Sequence, residues 1–377
     1  MDSITDNALE VMRADIGIRS SLSSWITHAH EDAVWHFALG VGDDNPLWWD
    51  REYALRSNVG RMFAPPTLLY TFAQEVRKPQ EGPSQSGVEE WLPGAMGLWY
   101  GDRWIWHSRL WVGEEVNVFH ELHDVQARGE FERRTVAQTE LFTFTAGDGR
   151  AIGELYRTIL RFGAQSSLAK KQYAHTPLAT YSDAQMNGIL AQYALESTNR
   201  RGAEPRYWED VKQGDELPGL VKGPLTMTNI VGWLLGWGAT QCATNRMLYS
   251  WLRVHPAGGL IDARTGIRDS LTAVHLSSEL ARENGMARQY DFGSQRISAA
   301  AHVLTDWCGD DGALIALDAQ LRAPNFLGDA TWYSAVVIDK NRNDQGNIVT
   351  CKISAINQRN EITLTAEGQV ALPSRVT

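Results

Sequence analysis

The chain repeats itself. The segment WWDREYALRSNVGRMFAPP (48–66) aligns with HLSSELARENGMARQYDFG (275–293) at a constant offset of 227, which places Glu52 over Glu279 and Ala54 over Ala281. The shared sequel matters more than these identities. Each segment runs into an apolar helix-like stretch, TLLYTFAQEV or SQRISAAAHVLTDW. Each then reaches a strand-rich region opened by LWVGEEVNVFHEL (110–122) or NFLGDATWYSAVV (325–337). Self-similarity of this kind means that one supersecondary plan is built twice. Runs such as TVAQTELFTFTA and IVTCKISAINQ alternate with period two, and AIGELYRTILRF and EITLTAEGQVAL follow them. Each half therefore reads as a helical section followed by an antiparallel meander, an α+β plan in which a sheet wraps one central helix. The central helices are expected to start near residues 65 and 293.

At 377 residues the chain has room for two cores. The boundaries fall at 1–165 for the first unit, 166–205 for a linker and 206–377 for the second. Within the linker, Ser182 and Asp183 can cap a helix whose apolar positions Met186, Ile189, Leu190 and Tyr193 share one face.

Composition removes several function classes. A net charge of −10 with 35 dispersed Lys and Arg residues leaves no cationic surface for nucleic acid. The acidic N-terminus has no apolar signal-like run, and no uncharged apolar stretch is long enough to span a bilayer. A soluble, cytoplasmic protein is expected. Three scattered cysteines, Cys242, Cys308 and Cys351, make neither a disulfide framework nor a zinc site. In FHELH (119–123), His120 and His123 point to opposite faces of a strand, so no metal is expected there. Walker, GxGxxG, GxSxG and HExxH motifs are absent, and no cofactor is called for. Fifteen tryptophans, several within WLPGAMGLWYGDRWIWHSRLW (91–111), suit either aromatic core packing or a wall for a large apolar ligand.

The stretches GDDNPLWWDREYA, APPTLL, RYWEDVKQGDELPGLVKGPLT, HLSSELARENG, YDFGSQRISAAAHVLTDWCGDDG and RAPNFLGDATW resemble the MaoC-like double-hotdog hydratases and dehydratases, with a first half of the FAS1-like dehydratase type. The resemblance implies two hotdog units packed as a pseudo-dimer. It also implies an Asp and a His five residues apart that activate water, and amides at the start of a central helix that polarise a CoA thioester carbonyl. Such an oxyanion donor contributes about 3–4 kcal/mol. In this chain Asp43 and Asn45 match the motif, but Trp48 stands where the histidine belongs. His275 lies opposite Trp48 in the repeat and has no Asp partner at the matching position. The 227 offset places Ser270 opposite Asp43, whereas an alignment through GWLLGWGATQ places Ala239 or Thr240 there.

The expected function is a lyase that adds water to, or removes it from, an enoyl or 3-hydroxyacyl thioester, with a bulky or aromatic acyl group. His275 is its candidate acid–base group, and Asp291 or Asp269 supplies the missing carboxylate. Tyr290 is a possible donor to a carbonyl, Gly293 an oxyanion amide, and Arg296 a contact for phosphate or carboxylate. Each has a structural alternative: a satisfied core histidine, an N-cap at Asp291, a core tyrosine, a salt bridge at Arg296. Asp43 and Asn45 also make a turn without any chemistry, and Trp48 fills or lines the space of the missing histidine. The prolines 65 and 66 remove amide donors from the first half. Asp43 and His275 are not expected to meet. Two other functions fit the same residues: a non-catalytic acyl-binding subunit, or an enzyme turned to another elimination or isomerisation on a substrate without CoA. The expected partners are a small-molecule acyl-CoA thioester and a second copy in a homodimer.

Overall fold

A computed structural model describes residues 4–76, 91–92, 95–130, 134–163, 173–239, 242–254, 256–343 and 346–376. The first half contributes β1 (Ser20–Ser21), β2 (Ala95–Trp106), β3 (Val116–Arg128), β4 (Thr135–Ala146) and β5 (Ala151–Gly163). The second contributes β6 (Glu216–Lys222), a short hairpin of β7 (Gly259–Ile261) and β8 (Arg268–Ser270), and then β9 (Ala313–Leu321), β10 (Thr331–Asn343), β11 (Gly346–Asn357) and β12 (Ile362–Ala371). Apart from the hairpin, the strands form one sheet in the order β1-β3-β4-β5-β2-β9-β12-β11-β10-β6. Read from either edge the order is the same plan, so β2 and β9 are equivalent strands that pair antiparallel across a pseudo-twofold axis, Arg103 opposite Asp318. The two expected sheets are thus joined edge to edge into ten strands. The fold is an α+β double hotdog.

The strand pattern follows the sequence. Along β4 every second residue is buried, from Val136 to Ala146. The second half's concave face holds the helix Gly293–Cys308, in which all but two residues are buried and Ala299, Ala300 and Ala301 let the sheet approach closely. Its counterpart in the first half is much shorter, a 3-10 turn Pro66–Leu68 running into Leu69–Phe72. Both begin where expected, since 66 and 293 are 227 apart.

Outside the sheet the repeat has two offsets. The helices Arg51–Arg56 and Ser278–Glu283 differ by 227, but the helices Glu31–Val41 and Met227–Trp237 differ by only 196. The difference, 31 residues, is an insertion that carries the helix Asn245–Val254 and the β7–β8 hairpin. Both eleven-residue helices end at a left-handed glycine, Gly42 or Gly238, each at φ 68°. Ala239 is therefore the residue opposite Asp43, while His275 stays opposite Trp48; Thr240 lies outside the described residues.

These two helices pack on each other. Gly40 lies against the Gly232 carbonyl, Gly236 against the His36 carbonyl, and the Phe37 and Trp233 rings meet at 5.5 Å. A Cβ on Gly236 would run into backbone, which cannot swing aside. Gly236→Ala is expected to cost about 1–3 kcal/mol through overpacking, measured as a lower denaturant midpoint at unchanged m-value.

Candidate active site

The first helix stops at Gly42, and the next three residues build a turn from their own side chains. Asp43 Oδ1 accepts the Asn45 amide at 3.0 Å, and Asn45 Oδ1 accepts the Leu47 amide at 3.1 Å to cap the short helix Pro46–Trp49. The structural role expected of Asp43 and Asn45 is real, and both are buried. It leaves Asp43 Oδ2 for the Trp48 indole, which donates to it at 2.8 Å. The tryptophan in the histidine's position thus hydrogen-bonds the motif's own acid, and its ring stands edge-on to Phe63 at 5.1 Å.

A histidine that sequence reading passed over faces the same carboxylate. His302, on the second half's central helix, places Nε2 3.4 Å from Asp43 Oδ1 and 3.2 Å from Asp306 Oδ2, with Glu196 Oε1 at 3.7 Å. Its side chain is 1% exposed. The linker helix Asp183–Asn199, capped by Ser182 as expected, brings Glu196 into the cluster and Arg200 just beyond its end. Arg200 Nε donates to Asp306 at 2.8 Å, while its other nitrogens hold the side chain and carbonyl of Asp44. The linker therefore fastens the Asp43 turn of one half to the central helix of the other. Lys222 on β6 adds a cation, donating to the Gly42 carbonyl at 2.8 Å and lying 3.5 Å from Glu196.

Burial works against a charged imidazole at His302, but the carboxylates of Asp43 and Asp306 outweigh it and raise its pKa above 6.5. Burial would raise Asp306, yet His302 and Arg200 together hold it below the ordinary carboxylate range. Asp43, His302 and Asp306 offer ligand atoms within 4.8 Å of one another, a spacing that a small cation could use. Each carboxylate already holds a protein donor, Trp48 or Arg200. With Lys222 also at hand, the arrangement suits an imidazolium between two anions better than a metal.

Two cavities border this turn. A narrow cleft of about 240 Å³ is lined by Asp43, Pro65, Pro66, Thr67, Ser298, His302 and Thr305. A larger one of about 720 Å³ shares Pro66 and Thr305 with it and is walled by Trp48, Phe63, Leu69, Trp106, Leu110, Ile152, Leu314 and Ile315, with Asn45 and Arg109 among its polar residues.

The residues singled out in the second half border neither cavity. His275 donates from Nδ1 to the Tyr290 carbonyl at 2.8 Å and stacks on Phe292 at 3.9 Å; burial pushes its pKa down to about 4. Asp291 does not cap the central helix, whose N-cap is Phe292. It instead grips Arg296 through both oxygens and accepts from Asn325. The remaining Arg296 nitrogen donates to the carbonyls of Ala323 and Thr363, so the guanidinium is fully engaged. Asp269 accepts the Ser270 amide at 2.7 Å. Tyr290 is held above the ordinary phenol range by burial. Gly293 is closely packed: a Cβ there would lie 2.7 Å from Trp99 and from Leu321. Asp43 and His302 come together across the halves; the structure describes no contact between Asp43 and His275.

The molecule is a pair of hotdog units with an acid and an imidazole beside an apolar pocket. Residues 14–143 match the family model of the FAS1-like, dehydratase domain region. The whole chain superposes on a MaoC-like dehydratase with TM-score 0.66 at 18% identity, covering 96% of this chain and 100% of that one. A MaoC domain dehydratase from Chloroflexus aurantiacus gives 0.56 at 12% identity over 94% and 95% of the two chains. A double-hotdog protein from Mycobacterium tuberculosis gives 0.50 at 11% over 94% and 93%. No curated protein matches the sequence. The chain has the double-hotdog fold of these structures, and the FAS1-like dehydratase region lies in its first half. Among the described residues, no helix is long and apolar enough to cross a membrane.

Proposed function

We propose that the chain is a lyase that hydrates an enoyl thioester, or dehydrates a 3-hydroxyacyl thioester, with Asp43 and His302 as its acid–base pair. The observation that carries this reading is their approach at 3.4 Å on the wall of a cleft that opens beside an aromatic pocket. In the hydration direction the Asp43 carboxylate takes a proton from water as the water oxygen bonds to the β-carbon. The displaced electron pair passes to the thioester oxygen as an enolate, and the His302 imidazolium returns a proton to the α-carbon. Dehydration reverses each transfer. Trp48 and Phe63 hold the acyl group, which favours a bulky or aromatic one. On this reading the working site sits in the first unit (1–165) and borrows its histidine from the second (206–377), and His275 with Asp269, Tyr290 and Gly293 belongs to a counterpart site packed shut. The protein acts in the cytoplasm as a homodimer on CoA thioesters.

The test is a panel of straight-chain and aromatic 2-enoyl-CoA thioesters, followed by loss of the enoyl absorbance, beside the free acids. Turnover of the thioesters alone is expected. Binding without turnover would make the chain an acyl-binding subunit, and turnover of free acids would break the CoA assignment. The pH profile has a definite sign. The imidazolium is the active form in hydration, so kcat should fall as pH rises through the raised His302 pKa, above the ordinary 6.5. Stability follows the same group: its contribution is complete below about pH 6.5 and is lost as pH climbs through the folded value. Histidine-selective NMR locates that titration independently of activity.

A further inference from the structure

The cleft contains a hydroxyl that the fold does not use. Ser298 is 1% exposed and its Oγ has no hydrogen-bond partner. A serine in the middle of a helix ordinarily returns its hydroxyl to a carbonyl one turn back. Thr305 on the same helix does so, donating to the His302 carbonyl at 3.1 Å. Ser298 does not, and it lines the cleft with Asp43 and His302. Positions 298, 302 and 305 follow the i, i+4, i+7 spacing, so all three side chains stand on one face of the helix. Their neighbours are unfulfilled as well. His302 Nε2 and Asp306 Oδ2 meet only in their 3.2 Å ion pair, and His302 Nδ1 has no partner. Buried polar groups are nearly always paired, and leaving one unpaired costs about 1–3 kcal/mol. Several in one place point to a small polar occupant with its own donors and acceptors.

We infer that Ser298 binds the reacting oxygen, the water in hydration and the 3-hydroxyl in dehydration, and presents it to Asp43. The wall facing it is built from Pro65, Pro66 and Thr67, and the two prolines offer no amide donors of their own. A side-chain hydroxyl on the opposite helix meets the need, since it can donate to the oxygen while Asp43 accepts that oxygen's proton. The inference rests on the thioester-lyase reading, and it assigns a group to the oxygen where that reading assigned groups only to the protons.

The experiment compares two ligands that differ by one hydroxyl, 3-hydroxyhexanoyl-CoA and hexanoyl-CoA, binding by calorimetry to wild type, Ser298→Ala and Ser298→Thr. Ser298→Ala should weaken the hydroxylated ligand about tenfold and leave the saturated one unchanged; Ser298→Thr should restore the difference. Because the hydroxyl contributes nothing to the fold, the alanine variant should unfold at the wild-type temperature or above. Equal loss for both ligands, or no loss for either, would overturn the assignment. Selective loss in a protein that turns over no thioester would keep the oxygen subsite and remove the lyase reading. Wild type that binds neither ligand would overturn both.

Discussion

Replacing His302 by glutamine is expected to lower turnover by about 10²–10⁴-fold, the range that one positioned acid–base group contributes, in a chain that still folds. Glutamine is chosen because alanine would do two things at once. It would remove the proton carrier, and it would leave a cavity in a buried helix, where His302 is surrounded by the buried Ala299–Leu304 run. Glutamine approximates the volume and can donate toward Asp43 and Asp306, but its amide gives up no proton at any accessible pH. The alkaline limb of the hydration profile should therefore vanish along with the rate. The same measurement on His275→Ala separates the two halves. Its ring holds a backbone carbonyl and faces neither cavity, so turnover should survive. If His275→Ala abolishes turnover while His302→Gln spares it, the working site lies in the second half.

The sequence made the fold plain and the site only half so, and the reasons are physical. Period-two alternation is dictated by the pleat itself, and it is why TVAQTELFTFTA could be placed as β4 with Val136, Phe142 and Phe144 turned inward. The repeat fixed the starts of both central helices because glycine and proline punctuate them at 66 and 293. What the repeat could not reveal was its change of offset, since the 31-residue insertion sits between two stretches that each align well alone. His302 was hidden for another reason. It sits inside AAAHVL, where one polar residue in an apolar run reads as a satisfied core histidine. A signal was nonetheless present: Ser298, His302 and Asp306 recur every four residues along a deeply buried helix, a polar stripe where apolar side chains are the rule. The motif drew attention to a histidine five residues from Asp43, whereas the fold supplies one 259 residues away by stacking the second half's helix against the first half's turn.

Asp291 gives the second large effect, and it concerns stability. Asp291→Ala is expected to destabilise the chain by about 3–5 kcal/mol, because it leaves the Arg296 guanidinium buried at 4% exposure without its anion. The size follows from what the carboxylate holds. It binds two guanidinium nitrogens and the backbone and side-chain amides of Asn325, while Arg296 ties the central helix to the carbonyls of Ala323 and Thr363. This pair therefore anchors the N-terminal end of the helix to the strand ends below it. His302 and Ser298 lie farther along the same helix, so a loosened anchor would also blur their approach to Asp43. The distinguishing measurement is denaturant unfolding paired with kinetics at a temperature where the variant remains folded. Asp291→Ala should show a much lower midpoint but a pH profile whose alkaline limb still reports His302. A normal midpoint together with lost turnover would make Asp291 a participant in the chemistry, and His275 beside it would become the histidine to pursue.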